Sequence, residues 1–234
     1  MTTLSEARIG MVLHGLLLLA VFLLAAIYHD GPQAAFMYAM TLGPLIRLTS
    51  LSLPLPRFDL VYWYALVGLP LILAAFFAMR NNRLSRADVG LVLRRPFLQL
   101  LIALCGIGLG AIEYIILRPP PLVEEFNLQQ IILPALILLI FTGFLEEFIF
   151  RGVMQHTGFE NFGWLGGVIY VSVVFAILHI GYASIIDVIF VFSVAVFFAI
   201  MTRLTGSIVG VTFAHGLTNI GLFLVFPFLI GTGI

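Results

Sequence analysis

Residues Ile9–Tyr28 read IGMVLHGLLLLAVFLLAAIY. His14 is the one polar side chain in the run, and about twenty apolar residues are what an α-helix needs to cross the hydrocarbon core of a bilayer. Seven more runs follow, at approximately Ala34–Leu53, Leu60–Met79, Phe97–Leu117, Gln129–Gln155, Trp164–Ile180, Ser184–Arg203 and Ser207–Ile230. None shows the short alternating pattern of a membrane β-barrel. Inside lipid every backbone N–H and C=O must be satisfied within the protein, so continuous apolar runs mean helices. The fold class is all-α, a polytopic transmembrane helix bundle of seven or eight spans. The count turns on the second run, where Gly43, Pro44 and Arg47 predict a broken or interfacial helix.

Composition agrees. Of 234 residues, 62% are hydrophobic and 9% charged, with mean hydropathy +1.17. A soluble domain carries about 25% charged residues, so this balance excludes a cytosolic enzyme, a disordered chain and a nucleic-acid binder. It also excludes a disulfide-built secreted domain, since Cys105 is the single cysteine. The expected partner is the lipid bilayer, not nucleic acid. The eleven cations are all Arg and balance eleven acids. The first run is longer than the apolar stretch of a cleavable signal and lacks a clear small-residue cleavage pattern, so it reads as a retained helix. The segment Arg80–Arg95, RNNRLSRADVGLVLRR, has five Arg against one Asp and is expected on the cytoplasmic side. Arg118–Gln130 then lies opposite, Thr157–Gly163 returns to the cytoplasm, and Arg203–Gly206 is cytoplasmic too if the next two segments both span. No internal repeat is evident, and residues 1–234 read as one membrane domain.

Ionisable residues inside membrane helices are costly and are functional candidates by default. Glu113, Arg118, Asp187 and Arg203 lie near helix ends, where snorkelling to the headgroups explains them. Arg47 and His14 read as structural or interfacial. A second group is different: Glu146, Glu147 and Arg151 in FTGFLEEFIFRGVMQ, His179 ending VVFAILH, and His215 and Asn219 in VTFAHGLTNIG. Glu147 and Arg151 are i and i+4, which suits an ion pair, as are Phe175 and His179, and His215 and Asn219. Glu146 is rotated about 100° from Glu147, so it can face a different neighbour. Counted at 1.5 Å per residue from their turns, Glu146, His179 and His215 lie roughly 18, 20 and 14 Å deep, so three separate helices bring acid and imidazole to one level. Gly206, Gly210 and Ala214 form a small-residue stripe, and Gly106 and Gly110 a second, both suited to close helix packing.

The three motifs, EEFIFRG at Glu146–Gly152, FAILH at Phe175–His179 and HGLTN at His215–Asn219, resemble EExxxR, FxxxH and HxxxN of the CAAX prenyl endopeptidase and bacteriocin-processing family of intramembrane proteases (CPBP, also called Abi). ADVGLVLRRP at Ala87–Pro96 resembles the lead-in of bacterial members. The resemblance covers residues 87–219, a CPBP-like protease core; residues 1–80 carry no family signal. It implies peptide-bond hydrolysis within or beside a bacterial or archaeal cell membrane, on a membrane-associated or lipidated substrate, by CAAX-type or leader-peptide processing. Glu146 would activate water as general base, His179 would hold it, and His215 with Asn219 would stabilise the oxyanion. Glu147, Arg151 and Phe175 would be structural or orienting. No cofactor is required in this reading. The family is often called metalloprotease, and a zinc version would use Glu146, His179 and His215. Two other classes remain: a non-proteolytic scaffold or bacteriocin-immunity factor, and a small transporter, which the lack of an internal repeat disfavours.

Overall fold

The computed structural model describes residues 4–52 and 60–230. Among the described residues every element is helical and there is no strand. The first run is α1 (Leu4–Tyr28). The second is divided into α2 (Pro32–Met40) and α3 (Leu42–Ser52). Pro44 accounts for the break: it has no N–H for the Met40 carbonyl, and its ring crowds that carbonyl. The broken-helix expectation therefore holds, although Leu53 lies outside the described residues. α4 (Leu60–Asn81) and α5 (Pro96–Leu117) are full spans. The Arg-rich connection between them is docked rather than free. Gly90, at φ 70°, presents its carbonyl to the Ile208 N–H at 3.0 Å.

The next helical stretch runs from Leu128 to Tyr182, 55 residues. Straight, it would measure about 80 Å, more than twice the hydrocarbon thickness. It is instead folded in two at Gly163, whose φ of 67° and ψ of 177° lie outside the helical region and are open to glycine alone. The arms return antiparallel, with Gly158 against Gly167 and the Phe150 ring 5.0 Å from that of Phe175. The turn expected over Thr157–Gly163 is thus confined to its last residue. The first arm comprises α6 (Leu128–Leu138), a widened turn (Leu139–Phe144), α7 (Leu145–Glu147) and a second widened turn (Phe148–Met154). α8 (Gln155–Leu178) contains the reversal. α9 (Ile185–Thr205) and α10 (Val209–Ile220) follow, then a third widened turn (Gly221–Val225) and α11 (Phe226–Leu229).

Among the described residues seven stretches are long and apolar enough to cross a membrane, the doubled helix being one of them, and the chain is a multi-pass integral membrane protein. Its core is the first arm of that helix: Phe148, Ile149, Phe150, Val153 and Met154 are each at most 1% exposed. Leu16, Leu73, Phe77 and Ile186 point outward, where acyl chains replace water. Glycines set the closest approaches. Gly106 and Gly110 of α5 lie on the backbone of Ala214 and Thr218 of α10. A Cβ at Gly143 would lie 2.8 Å from the Thr212 carbonyl oxygen and 2.9 Å from the Gly216 nitrogen. Small residues let two helix axes come this near. Gly143→Val is accordingly expected to destabilise the bundle by about 1–3 kcal/mol through overpacking. Thermal unfolding in detergent measures this, with Gly108→Val, which has open space around it, as the neutral control.

Candidate active site

Glu147 is the centre of the polar cluster. Its side chain is fully buried, and one oxygen, Oε1, accepts from Arg151 Nη1 at 2.9 Å and from His215 Nδ1 at 2.8 Å. Arg151 is buried as well; its Nη2 reaches the Ala195 carbonyl of α9 at 3.4 Å, and its guanidinium lies 4.4 Å from the centre of the Phe175 ring. Ions in a low-dielectric interior persist when paired and hydrogen-bonded. The i,i+4 pair read from the sequence is present. The same oxygen also holds His215, a contact that no spacing along the chain signals.

The carboxylate accepts, so His215 Nδ1 carries a proton and Nε2 faces the other way, 3.8 Å from Glu146 Oε2. Glu146 and Glu147 therefore meet the two nitrogens of one imidazole, and Glu146 alone also faces a cavity. Both belong to α7, a short α-helical segment between two widened turns. Their settings still differ. The Glu146 side chain is 30% exposed and that of Glu147 is 0% exposed.

His179 sits at the end of α8, and its Nδ1 is 2.9 Å from the Phe175 carbonyl. A carbonyl only accepts, so Nδ1 carries the proton and Nε2 is left as an acceptor. The Phe175 ring lies 4.7 Å from the His179 ring and 5.8 Å from the His215 ring, a wedge between the two imidazoles. Asn219 Nδ2 donates to Thr142 Oγ1 at 2.8 Å. Thr142 spends its own proton on the Leu138 carbonyl, so the hydroxyl can only accept from Asn219, which fixes the amide's orientation. Thr142 escaped sequence reading. A hydroxyl bonding the i−4 carbonyl also loosens the helix, in keeping with the widened turn Leu139–Phe144 around it.

A cavity of about 180 Å³ opens over Glu146, His179 and Phe175. Its opposite wall is Arg47 and Ser50 of α3 and Trp63 and Tyr64 of α4, so the first 80 residues complete the site although they carry no family motif. A larger cavity, about 890 Å³, lies beside Arg118–Glu124 and shares Tyr64 and Tyr182 with the first. A third, about 30 Å³, lies behind the imidazoles and is lined by Glu113, His179, His215 and Asn219.

Two readings of outlying charges need correction. Glu113 is 7% exposed and Asp187 0%, so both point into the bundle instead of snorkelling to headgroups. Nearness to a helix end says nothing about which face a residue occupies. Arg118 and Arg203 are exposed, as snorkelling requires, and Arg203 lies over the Phe159 and Trp164 rings. His14 bonds the Gly10 carbonyl, a local structural role. Among the described residues no three His, Cys, Asp or Glu side chains are placed to hold a metal ion, so Glu146, His179 and His215 do not form a zinc ligand set as they stand.

A model of the Rce1-like family, type II CAAX prenyl endopeptidases, matches residues 128–221. This segment is Rce1-like. It holds all three motifs and bears out the resemblance drawn from them. It begins well after Ala87, and it covers fewer than half of the residues. No curated protein and no solved structure matches the chain. The Rce1-like match supports an intramembrane endopeptidase of the CAAX-protease type.

Proposed function

We propose that the chain hydrolyses a peptide bond near the free C-terminus of a membrane-associated or lipidated substrate, with Glu146 as the base. The observation that carries this is Glu146 Oε2 at 3.8 Å from His215 Nε2, on the wall of a cavity that also presents His179. His179, with its proton held by Phe175, offers a lone pair at Nε2 and takes one hydrogen bond from the water. Glu146 accepts the other proton as the water oxygen bonds to the carbonyl carbon. His215 protonated at both nitrogens gives Nδ1–H to Glu147 and Nε2–H to the oxyanion, and the second N–H of Asn219 adds a donor. Collapse of the tetrahedral intermediate breaks the C–N bond, and the proton on Glu146 passes to the leaving amine.

Arg47 supports the C-terminal preference. It lines the cavity and has no acidic partner among the described residues, and an unpaired cation there suits a substrate carboxylate. Trp63, Phe141 and Phe150 beside it suit an apolar peptide or lipid chain. In proteoliposomes, a prenylated peptide acid is expected to be cleaved about 10–100-fold faster than its C-terminal amide, the worth of one charged hydrogen bond. Arg47→Gln is expected to erase that difference. Equal rates for acid and amide in the wild type would point to internal, leader-type cleavage instead.

A further inference from the structure

Glu113 takes no part in the mechanism above, yet it is buried at 7% exposure in α5, outside the Rce1-like segment. It shares the cavity of about 30 Å³ with His179, His215, Thr218 and Asn219. That volume suits one ordered water, which needs two to four polar partners. The partners are present. Asn219 has committed one N–H to Thr142 and retains its second N–H and its Oδ1, while Thr218 gives its hydroxyl proton to backbone carbonyls. No hydrogen bond to another described side chain occupies the Glu113 carboxyl, and a buried carboxyl without a partner is costly.

We propose that Glu113 is a positioning residue that holds the Asn219 amide through a water in this cavity. The amide is then clamped from two sides, by Thr142 on one and by Glu113 with its water on the other, leaving one N–H aimed at the oxyanion. α5 can deliver a carboxyl here because Gly106 and Gly110 bring it onto the backbone of α10 at Ala214 and Thr218, one on each side of His215.

The inference rests on the oxyanion role given to Asn219 above, and its test separates the two. Glu113→Gln keeps shape and removes the charge; Glu113→Ala removes the group. In proteoliposomes cleaving a prenylated peptide, Glu113→Ala in an otherwise wild-type chain is expected to lower kcat by about 10–100-fold with KM within about twofold, because the lost interaction exists in the transition state. Glu113→Gln, which can still bond the water, is expected to recover most of that loss. In an Asn219→Ala background, Glu113→Ala is expected to cost nothing further, since both act through one amide. A kcat unchanged by Glu113→Ala, a change in KM alone, or full additivity with Asn219→Ala would overturn the proposal. A second readout needs no activity. The shifts in melting temperature of Glu113→Ala and Asn219→Ala are expected to be non-additive in the double variant, and simple additivity overturns the water bridge even if the wild type cleaves nothing.

Discussion

Glu146→Gln protein, purified and reconstituted, is expected to insert and unfold like the wild type while its turnover falls by about 10²–10⁴-fold, the range for loss of a general acid–base group. The stability expectation follows from exposure. The Glu146 side chain is 30% open to the cavity and stands 3.8 Å from its nearest basic atom, so an amide there leaves no buried charge stranded. Turnover is expected to depend on the carboxylate because, among the described residues, no other acidic side chain lines that cavity. Activity at the wild-type level in pure Glu146→Gln protein would remove Glu146 as the base that activates water. Loss of activity with a lowered melting temperature would instead assign Glu146 to structure.

Glu147 is expected to behave in the opposite way. Its single bonded oxygen satisfies both Arg151 and His215, and its side chain is sealed from the cavity. Glu147→Ala leaves a buried guanidinium without its counter-ion, and breaking a buried pair on one side costs about 3–5 kcal/mol. It also frees the His215 ring from Nδ1, so activity is expected to vanish together with stability. Replacing both partners, as Glu147→Leu with Arg151→Met, is expected to restore much of the melting temperature, because apolar pairs of similar volume are often tolerated where half a salt bridge is not. Activity is expected to stay absent, since the imidazole remains unheld. Thermal unfolding of the two single variants and the double variant decides this, and a double variant as unstable as the singles would contradict it.

Much of this was legible beforehand. Apolar run length gave the helices, and Gly43 with Pro44 gave the break between α2 and α3. The i,i+4 spacings gave the Glu147–Arg151 pair and the Phe175–His179 contact. What stayed hidden depended on rotation and on neighbours distant in sequence. An α-helical wheel separates Glu146 from Glu147, and nothing in the letters places the His215 imidazole against both. α5 is apolar on every side, so Glu113 could not be assigned to lipid or to the interior until α10 was seen against it. Thr142, a common residue in an apolar run, gained meaning only beside Asn219, 77 positions away. Arg47, Trp63 and Tyr64 carry no motif, and their place at the cavity is a matter of packing.

The fold at Gly163 also makes the chain a ruler. Phe150 meets Phe175 because each stands a dozen or so residues from the bend, one on either arm. An insertion of a single amino acid on one arm would slide its far portion by about 1.5 Å and swing it more than a quarter circle. His179 would then leave the cleft while Glu146 stayed put. Length between the bend and the cavity therefore sets how the two arms align, and a deletion there would be silent in hydropathy while it carried His179 away from Glu146.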